Sequence, residues 1–490
     1  MEIIHRAQRH PARFAVISDD RAYTYGELLA ASEQIARILL KGRPDLAEAR
    51  IAMMVPPGFD YVSVQWGIWR AGGMAVPLAL SYPAAELRYV IETTTPEVII
   101  AAPGYLDQLR PIADDHGVSL LPTDEMISSA RPPLPEIHSS RGALILFTSG
   151  TTSKPKGVII THHNLEAQVT CLTEAWGWQP DDHILNVLPL YHVHGITNIL
   201  TTALWNGALC EFLPKFEATA VWSRLGSSEL TLFMAVPTIY AKLIQHYEAQ
   251  PPSVQVRWTD ASMRMRLMVS GSAALPVTIL ERWETMTGQR LLERYGMTEI
   301  GMALSNPLKG ERRAGHVGRP LPGVEIRLVN NRYQDVSPGE SGEIMVRSAN
   351  VFREYWNRPE ATAEAFIDGW FRTGDMAIIQ NGYYRILGRS SVDILKSGGY
   401  KLSALEIEEV FRTHPALRDV AVVGLPDETY GQIVALAATV QSAIPEPDEI
   451  LVWAKDKLAP YKLPRKITFV AELPRNALGK VVKPRVNELF

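Results

Sequence analysis

The chain has 490 residues, 46% of them hydrophobic and 21% charged, and carries 49 basic against 53 acidic side chains, a net charge of −4. This composition excludes wholesale disorder, and the lack of a basic excess argues against nucleic acid or an anionic membrane as a partner. The two cysteines, Cys171 and Cys210, are too few for a disulfide framework or a cysteine-rich metal site and favour a reducing compartment.

The N-terminal part of the chain alternates predicted helices and strands. Thr24 and Glu27 have the spacing of a capping box, and the apolar series from Leu28 to Leu39 predicts a helix behind it. Short apolar runs at 51–55 and 98–101 predict buried strands, an alternation typical of α/β folds. No apolar stretch is long enough to span a bilayer and the N-terminus lacks a signal-peptide pattern. We therefore expect a cytoplasmic protein without a membrane span; an organellar form that has lost its leader stays open.

The pattern changes near Gly388. Ser403 and Glu406 have the spacing of a second capping box, which predicts a helix. Further elements follow in order: strand-like runs at 420–423 and 433–440, a helix near 448–458 and a strand at 467–470. Together they predict a compact α+β unit of ordinary domain size. The predicted domains are therefore residues 1–388 and residues 389–490.

A segment rich in hydroxyls and glycines follows the apolar run Leu144–Phe147, which predicts a buried strand. It reads Thr148-Ser-Gly-Thr-Thr-Ser-Lys-Pro-Lys-Gly157. Glycines let backbone amides approach a ligand, hydroxyls donate hydrogen bonds and lysines add charge, so the segment suits a polyphosphate. It is not a Walker A loop, because no Lys-Ser or Lys-Thr follows the second glycine. A solvated turn is the competing interpretation.

Two further segments carry side chains suited to a nucleotide. Tyr295 has a ring able to stack on a base, and Thr298 with Glu299 offers oxygen ligands to Mg²⁺. Asp375 is able to accept both hydroxyls of a ribose, and Arg389 is able to donate to the same sugar or to a phosphate. Taken singly, these residues are better explained as a buried tyrosine, a surface glutamate, a turn aspartate and a surface arginine.

Lys480 and a pair of histidines complete the candidate chemistry. Lys480 follows a glycine turn near the C-terminus, where most lysines are solvated. His192 and His194 are predicted to point to the same side of a strand. No third metal ligand is evident nearby, which favours pocket-lining histidines over a metal pair. The Gly-x-Ser-x-Gly elbow of hydrolases and the His-Glu-x-x-His pair of metalloproteases are both missing from the sequence.

The order of these segments resembles the successive core motifs of the adenylate-forming acyl-CoA synthetase superfamily. The resemblance covers essentially the whole chain and is carried by residues 148–157, 295–299, 373–375, 388–389 and 474–480. It implies a mixed α/β and α+β protein, with a large N-terminal domain of stacked sheets and helices and a small mobile α+β C-terminal domain. Such enzymes convert a carboxylate and Mg-ATP to an acyl-adenylate and release pyrophosphate. The small domain then rotates, and the thiol of coenzyme A attacks the adenylate. The resemblance leaves the oligomeric state open.

The resemblance also assigns roles to individual residues. Tyr295 would pack on adenine, Asp375 and Arg389 would bind the ribose, and Lys480 would stabilise the charge that develops at the α-phosphate. His192 would line the site as a gate. The positions implied to act in catalysis are Lys480, His192, Thr298 and Glu299. Those implied to bind ATP or coenzyme A are Thr148, Ser149, Gly150, Thr151, Thr152, Lys156, Gly271, Ser272, Ala273, Glu293, Arg294, Tyr295, Gly296, Met297, Asp375, Arg389, Lys396, Gly398 and Gly399. The implied Mg²⁺ ligands are Thr151 and Glu299.

Two departures from the family pattern stand out. Ser153 occupies a position where the phosphate loop usually has glycine, and we expect slower loop motion rather than loss of activity. The hinge segment 388–393 is one residue longer than the commonest spacing, so both Ser391 and Asp393 are candidates for the pivot. Gly398 and Gly399 lie on the loop that serves the thioester step in the family.

Further stretches resemble one branch of the superfamily, the malonyl-CoA synthetases. They are residues 188–195, 212–216, 236–242, 267–274 and 293–302. The implied substrate positions are Lys242, Ser270, His192 and Met302. Several bacterial members have arginine where Lys242 stands, a residue thought to meet the distal carboxylate of malonate. Independently of the resemblance, a buried second carboxylate needs a fixed cation, and Lys242, Arg264 and Arg266 lie in a suitable part of the chain. An ordinary solvated helix lysine is the alternative for Lys242.

Other acids and acceptors remain as alternatives. A ligase for fatty or aromatic monocarboxylic acids would need an apolar pocket without a buried cation. Alternatives from another class are an adenylation enzyme that loads a carrier protein in trans and a luciferase-like oxygenase that uses the adenylate. A non-enzymatic binding protein is disfavoured, because it would not need Lys480, Glu299 and the phosphate loop together. Methylmalonate differs from malonate by one methyl group, and the sequence does not decide between them.

Overall fold

The computed structural model describes residues 1–126, 133–148, 155–227, 229–398, 400–441, 443–475 and 480–490. Within these residues three sheets with flanking helices form the large N-terminal part, and a fourth sheet forms the C-terminal part. The expected division into a large α/β part and a small α+β part is thereby confirmed.

The largest sheet carries most of the candidate site. In the described part of the chain its strands are β1 (Phe14–Ser18), β2 (Arg21–Thr24), β9 (His183–Asn186), β10 (Leu209–Phe212), β11 (Leu232–Ala235), β12 (Leu267–Ser270), β13 (Leu292–Met297), β14 (Gly301–Ser305) and β15 (Arg319–Pro320). Their order is β15-β14-β13-β12-β11-β9-β10-β1-β2. Strands β9 to β13 run parallel to their neighbours within that group, and Ser270 pairs with Glu293 across β12 and β13. The carboxyl end of β12 therefore lies beside the amino-terminal half of β13, which continues beyond it to Met297.

A second sheet presents the hydroxyl-rich segment. Its described strands are β3 (Arg50–Met54), β4 (Met74–Pro77), β5 (Val98–Ala101), β6 (Ser119–Pro122), β7 (Gly142–Thr148), β8 (Lys156–Thr161) and β18 (Glu354–Tyr355), in the order β18-β8-β7-β4-β3-β5-β6. Strands β7 and β8 are antiparallel, and Thr148 lies opposite Lys156. The ends of this hairpin are thus fixed, while residues 149–154 lie outside the described residues.

A third sheet connects the large part to the small one. Its described strands are β16 (Glu325–Val329), β17 (Gly342–Arg347), β19 (Phe366–Ile367), β20 (Trp370–Gln380) and β21 (Tyr383–Arg389). Asp375 on β20 pairs with Arg389 at the end of β21. The predicted boundary at residues 388–389 stays a prediction, and it falls where this sheet ends.

Helices cover the sheets of the large part. Those in the described residues are α1 (Glu2–Gln8), α2 (Tyr25–Leu40), α3 (Phe59–Arg70), α4 (Ala84–Thr94), α5 (Leu106–His116), α6 (His162–Trp176), α7 (Thr202–Trp205), α8 (Ala218–Gly226), α9 (Pro237–Glu248), α10 (Pro252–Arg264), α11 (Val277–Thr287) and α12 (Pro359–Ala365). Short 3₁₀ turns occupy Pro103–Tyr105 and Thr123–Glu125. A wholly buried π-helix, His194–Thr201, leads into α7. Two of its carbonyls accept side-chain hydrogen bonds, Ile196 from Thr201 and Thr197 from Thr202.

The small part packs two helices and a terminal helix around its own sheet. The described strands are β22 (Ile394–Ser397), β23 (Tyr400–Ser403), β24 (Leu417–Asp427), β25 (Gly431–Val440) and β26 (Lys466–Phe469), and the helices are α13 (Ala404–Arg412), α14 (Pro447–Ala454) and α15 (Lys483–Asn487), with a 3₁₀ turn at Pro460–Lys462. The core of this part includes Ile407, Phe411, Val422 and Leu436, each fully buried. It is separate from the core of the large part.

Local sequence signals predicted most of these helices and strands correctly. The Thr24 hydroxyl accepts from the Glu27 amide, and the Glu27 carboxylate accepts from the Thr24 amide at 2.8 Å, which confirms the first capping box. The predicted strands at 51–55, 98–101 and 144–147 correspond to β3, β5 and β7. Helix α14 ends four residues before its predicted end. None of the helices in the described residues has both the length and the apolar character that crossing a bilayer requires.

Candidate functional site

Asp375 lies at the centre of a hydrogen-bonded cluster built by three strands. The Tyr295 hydroxyl on β13 donates to Asp375 Oδ2 at 2.6 Å, and Arg389 Nε donates to Asp375 Oδ1 at 3.1 Å. Burial raises the pKa of Asp375, and the charge of Arg389 opposes that rise. A carboxylate beside a half-buried aromatic ring is suited to accept ribose hydroxyls while a base stacks on the ring. The structure thus brings together the three residues predicted for the nucleoside.

Glu299 is a buried carboxylate next to two groups from the second sheet. It is 5% exposed, and its Oε1 accepts a hydrogen bond from the Tyr355 hydroxyl at 3.0 Å. Lys156 Nζ lies 4.6 Å from the centre of the Tyr355 ring. Burial raises the pKa of Glu299, whereas the Tyr355 hydrogen bond and the charges of Arg389 and Lys156 lower it. A buried carboxylate held in this way offers the kind of oxygen ligand that Mg²⁺ prefers.

Arg294 is a buried cation on β13. Its guanidinium lies against Gly271, where an added Cβ would approach Arg294 Cζ to 2.6 Å. The side chain is 3% exposed, and Nη2 donates to Ser272 Oγ at 3.4 Å. Among the described residues, Arg294 Nε has no acceptor. Burial lowers the pKa of Arg294 to about 9, and Glu293 opposes that shift when its carboxyl is ionised, so the guanidinium remains charged at neutral pH.

Two other buried polar side chains lie near Ser272: His194 contacts it in space, and Ser270 precedes it by two residues in the sequence. His194 Nδ1 is 3.1 Å from Ser272 Oγ, and His194 is 4% exposed. Ser270 ends β12 and is fully buried. Within the part of the chain that the structure describes, neither His194 Nε2 nor Ser270 Oγ has a hydrogen-bond partner. These groups and Arg294 form a polar region with unused hydrogen-bonding capacity.

Lys480 of the small part belongs to the same electrostatic environment. Loss of hydration lowers the pKa of Lys480, and the charges of Arg389 and Arg294 lower it further. In turn, burial lowers the pKa of His192 to about 4 and that of His194 well below its usual value, and the charge of Lys480 adds to both shifts. Both imidazoles are therefore neutral at physiological pH. Lys480 is thus electrostatically coupled to the two histidines and the two arginines.

The junction between the two parts is held by Asp393. Arg389 N donates to Asp393 Oδ2 at 3.0 Å, and Lys483 Nζ of the terminal helix lies 3.3 Å from Asp393 Oδ1. Gly388 has φ +117°, and a Cβ there would collide with Asp393. Of the two pivot candidates, Asp393 makes these contacts and Ser391 is exposed. The choice of pivot stays a prediction, and the geometry favours Asp393.

A contact between the two parts also involves Glu409 of α13. Glu409 Oε1 accepts a hydrogen bond from Val277 N, the first residue of α11, at 2.8 Å. A carboxylate at this position satisfies a free amide and interacts favourably with the helix dipole. The small part therefore caps a helix of the large part in this arrangement.

The remaining predicted site residues are placed as follows. Half-buried positions are Thr148, Lys156, Gly296, Met297 and Thr298; buried ones are Gly271, Glu293 and Met302; exposed ones are Ala273, Lys396 and Gly398. Met302 N donates to Gln168 Oε1 at 2.7 Å. Ser149, Gly150, Thr151, Thr152, Ser153 and Gly399 lie outside the described residues, so their roles at the phosphates, the metal and the thioester loop stay predictions.

Three sequence-based expectations differ from the structure. Lys242 is exposed on α9, with its Nζ 5.8 Å from the Phe216 ring centre, so it is not a buried cation. Arg266 is paired with Asp182 at 2.7 Å and is not free for a ligand. The histidines do not share a strand: His192 lies in a bend, and His194 begins the π-helix.

Sequence reasoning missed Tyr355 and Glu409 and gave Arg294 only a nucleotide role. Tyr355 and Glu409 reach the site through long-range packing, for which the sequence carries no local signal. Arg294 lies inside segment 293–302, one of those that carry the branch resemblance, between an acidic residue and an aromatic one. A search for cations at strand positions with buried neighbours would have found it.

Comparison with known proteins identifies the same two parts. Residues 3–356 match the model of the AMP-binding enzyme family, and residues 406–480 match that of the AMP-binding enzyme C-terminal domain. The malonate–CoA ligase ACSF3, mitochondrial, of Homo sapiens is 44% identical over 98% of this chain and 90% of its own length. The malonate–CoA ligase of Arabidopsis thaliana is 41% identical over 97% and 86%. The crystal structure of ATP-bound MatB from Rhodopseudomonas palustris superposes with a TM-score of 0.91 at 32% identity, covering 99% of this chain and 98% of that one.

Proposed function

Because the chain belongs to the AMP-binding enzyme family, we propose that it is an ATP-dependent acid–CoA ligase whose acid is malonate or a small 2-substituted malonate. The reaction passes through an acyl-adenylate to the CoA thioester and releases AMP and pyrophosphate. The two relatives named above are malonate–CoA ligases, and this chain matches 90% and 86% of their lengths, which supports malonate as the acid. We keep the cytoplasm as the proposed location, although the vertebrate relatives carry a mitochondrial designation in their names.

The observation that carries the choice of acid is the buried guanidinium of Arg294. Malonate has a second carboxylate that does not react, and burying it without a cation would be prohibitive. Arg294 is charged, 3% exposed and has Nε without an acceptor among the described residues. A monocarboxylic acid with an apolar chain would leave this charge buried and unpaired. Arg294 therefore replaces Lys242 as the proposed cation for the distal carboxylate.

The nucleotide side fits the first half-reaction. Asp375 and Arg389 hold the ribose, the Tyr295 ring supports adenine, and Glu299 is the described ligand suited to Mg²⁺. When bound, Mg²⁺ neutralises charge on the phosphates. Lys480 donates to the α-phosphate oxygens as the carboxylate attacks, and this reaction needs positioning and charge stabilisation more than a strong base.

The second half-reaction needs a different arrangement of the small part. Lys480 serves adenylation, and after the small part rotates, exposed Lys396 on β22 and Gly398 just beyond that strand meet coenzyme A. Neutral His192, half-buried beside Lys480, lines the site as the gate for the thiol. Conformational steps of this type are frequently rate-limiting in enzymes.

A panel of acids tests the proposal. Pyrophosphate release with Mg-ATP and coenzyme A is measured with malonate, methylmalonate, succinate, acetate, octanoate and benzoate. We expect strong preference for malonate and methylmalonate. Preference for octanoate or benzoate would retain a family ligase but overturn the choice of acid. Release of pyrophosphate without CoA thioester would point instead to a carrier protein as acceptor.

Two variants locate the cation. Arg294→Met keeps the volume but removes the charge, and kcat/KM for malonate should fall roughly 100-fold or more, because one partner of a buried ion pair is lost. Lys242→Ala removes the exposed lysine and should change kcat/KM for malonate by less than about threefold. The reverse ranking would restore Lys242 as the specificity cation.

A further inference from the structure

Three side chains from separate elements form one hydrogen-bonded chain beside the proposed acyl site. Arg294 on β13 donates through Nη2 to Ser272 Oγ at 3.4 Å. Ser272 Oγ lies 3.1 Å from His194 Nδ1, at the start of the π-helix. The order of the chain is therefore guanidinium, hydroxyl, imidazole.

The chemistry of the two ends fixes the direction of these hydrogen bonds. A guanidinium has only donors, so Ser272 Oγ accepts from Arg294. His194 is neutral, because burial and the charges of Arg294 and Lys480 lower its pKa well below the usual value. A neutral imidazole has one donor and one acceptor nitrogen. If Ser272 donates to Nδ1, each of the two hydrogen bonds joins one donor to one acceptor, and the ring hydrogen of His194 lies on Nε2. The opposite tautomer would leave the Ser272 hydrogen without an acceptor in the described part of the protein.

With this tautomer, two N–H donors need a hydrogen-bond acceptor. His194 Nε2 and Arg294 Nε are both buried, and neither has an acceptor among the described residues. A carboxylate is the natural acceptor for two such donors, since it has two oxygens and no hydrogen. We propose that Ser272 is a positioning residue that holds His194 as the Nε2–H tautomer, so that His194 and Arg294 together select acids with a second carboxylate. This inference rests on the proposed function and deepens it.

The backbone at Ser272 is a second, independent sign that the hydroxyl is used. Ser272 has φ +69°, in the left-handed region that glycine adopts most readily. Glycine would relieve the strain but would remove the link between Arg294 and His194. Strained backbone is retained where the surroundings and the site require it. Glu293 helps to hold this segment, because its Oε1 accepts from Leu275 N at 3.0 Å.

Two substitutions separate the hydroxyl from the backbone. Ser272→Ala removes the hydroxyl and keeps the strain, whereas Ser272→Gly removes both. Ala274→Gly, at an exposed position in the same segment, is the matched control. For both Ser272 variants we expect kcat/KM for malonate to fall by about tenfold or more, with kcat/KM for acetate changed little, so that the ratio of the two drops. Equal losses for malonate and acetate would show a merely structural role and overturn the proposal.

A direct measurement on the unmodified protein gives a second test. With ¹⁵N-labelled histidine, the ring-nitrogen shifts of His194 report which nitrogen carries the hydrogen; the His194→Gln variant identifies its signals by their loss. We expect a protonated Nε2 in the wild type and a mixture of tautomers in Ser272→Ala. A hydrogen on Nδ1 in the wild type would overturn the proposal. A wild type that prefers octanoate would instead overturn the proposed function, while the tautomer assignment is decided independently.

Discussion

Replacing Glu293 by glutamine should remove a pH-dependent cost of folding. Glu293 is 4% exposed, its Oε1 accepts from Leu275 N, and its Oε2 has no partner among the described residues. Burial raises the pKa of Glu293 from 4.5 to about 8; the Leu275 hydrogen bond and the charge of Arg294 oppose the rise, and the charge of Glu409 adds to it. The folded protein therefore keeps a proton at neutral pH that the unfolded chain has lost.

The size of the effect follows from the two pKa values. Between pH 4.5 and pH 8 the folded state binds the extra proton, so the free energy of unfolding falls as pH rises, by about 1.4 kcal/mol per pH unit. At pH 7 the accumulated cost is roughly 3 kcal/mol. Glutamine keeps an acceptor for Leu275 N and cannot ionise. The free energy of unfolding of Glu293→Gln should therefore exceed that of the wild type by an amount that grows from near zero at pH 4.5 to roughly 3 kcal/mol at pH 7 and levels off above pH 8.

Urea unfolding followed by tryptophan fluorescence, in unit steps from pH 5 to pH 8, measures the difference between Glu293→Gln and the wild type. Glu364→Gln, an exposed glutamate on α12, is the matched control, and its difference from the wild type should stay flat. A Glu293→Gln difference that is constant across this range would refute the idea of a buried carboxyl held protonated by its surroundings.

Three further substitutions test the site and its assembly. Lys480→Ala should abolish pyrophosphate release but leave thioester formation from supplied acyl-adenylate largely intact; equal loss in both steps would contradict a role confined to adenylation. Gly271→Ala should raise the malonate KM by about tenfold or more, and by more than the ATP KM, because a methyl group there displaces the Arg294 guanidinium. Glu409→Ala removes the acceptor for Val277 N and should slow adenylation relative to thioester formation; an unchanged ratio would show that this contact does not favour the adenylating arrangement.

Helices and strands with local sequence signals were predictable, whereas the cation proposed for the distal carboxylate, Arg294, was not. The capping box at Thr24 and the apolar run of β5 lie within a few residues of sequence, and both appear as expected. On α9 the buried residues include Tyr240 and Leu243, and the helical period between them turns Lys242 to the opposite face. The helical pattern of α9 thus indicated that Lys242 is exposed, whereas the family resemblance was the reason for predicting that it is a buried cation.

The position of His194 could not be predicted for a different reason. A π-helix is recognised by hydrogen bonds that span one residue more than in an α-helix, and no sequence period distinguishes it in a short buried segment. Likewise, the approach of Tyr355 to Glu299 joins a strand of the second sheet to the turn between β13 and β14 of the largest sheet. Such contacts depend on how the sheets stack, which a single sequence does not encode locally.

The π-helix has a consequence for how such a pocket changes during evolution. The wide turn at His194–Thr201 exists because this stretch accommodates one residue more than an α-helix of the same rise would. Deleting a single residue from it would restore α-helical winding and turn the preceding side chains by roughly 100° about the axis, carrying the imidazole of His194 away from Ser272. The proposed role of His194 thus makes acid preference open to insertions and deletions as well as to substitutions, and the length of one buried turn becomes a heritable determinant of specificity.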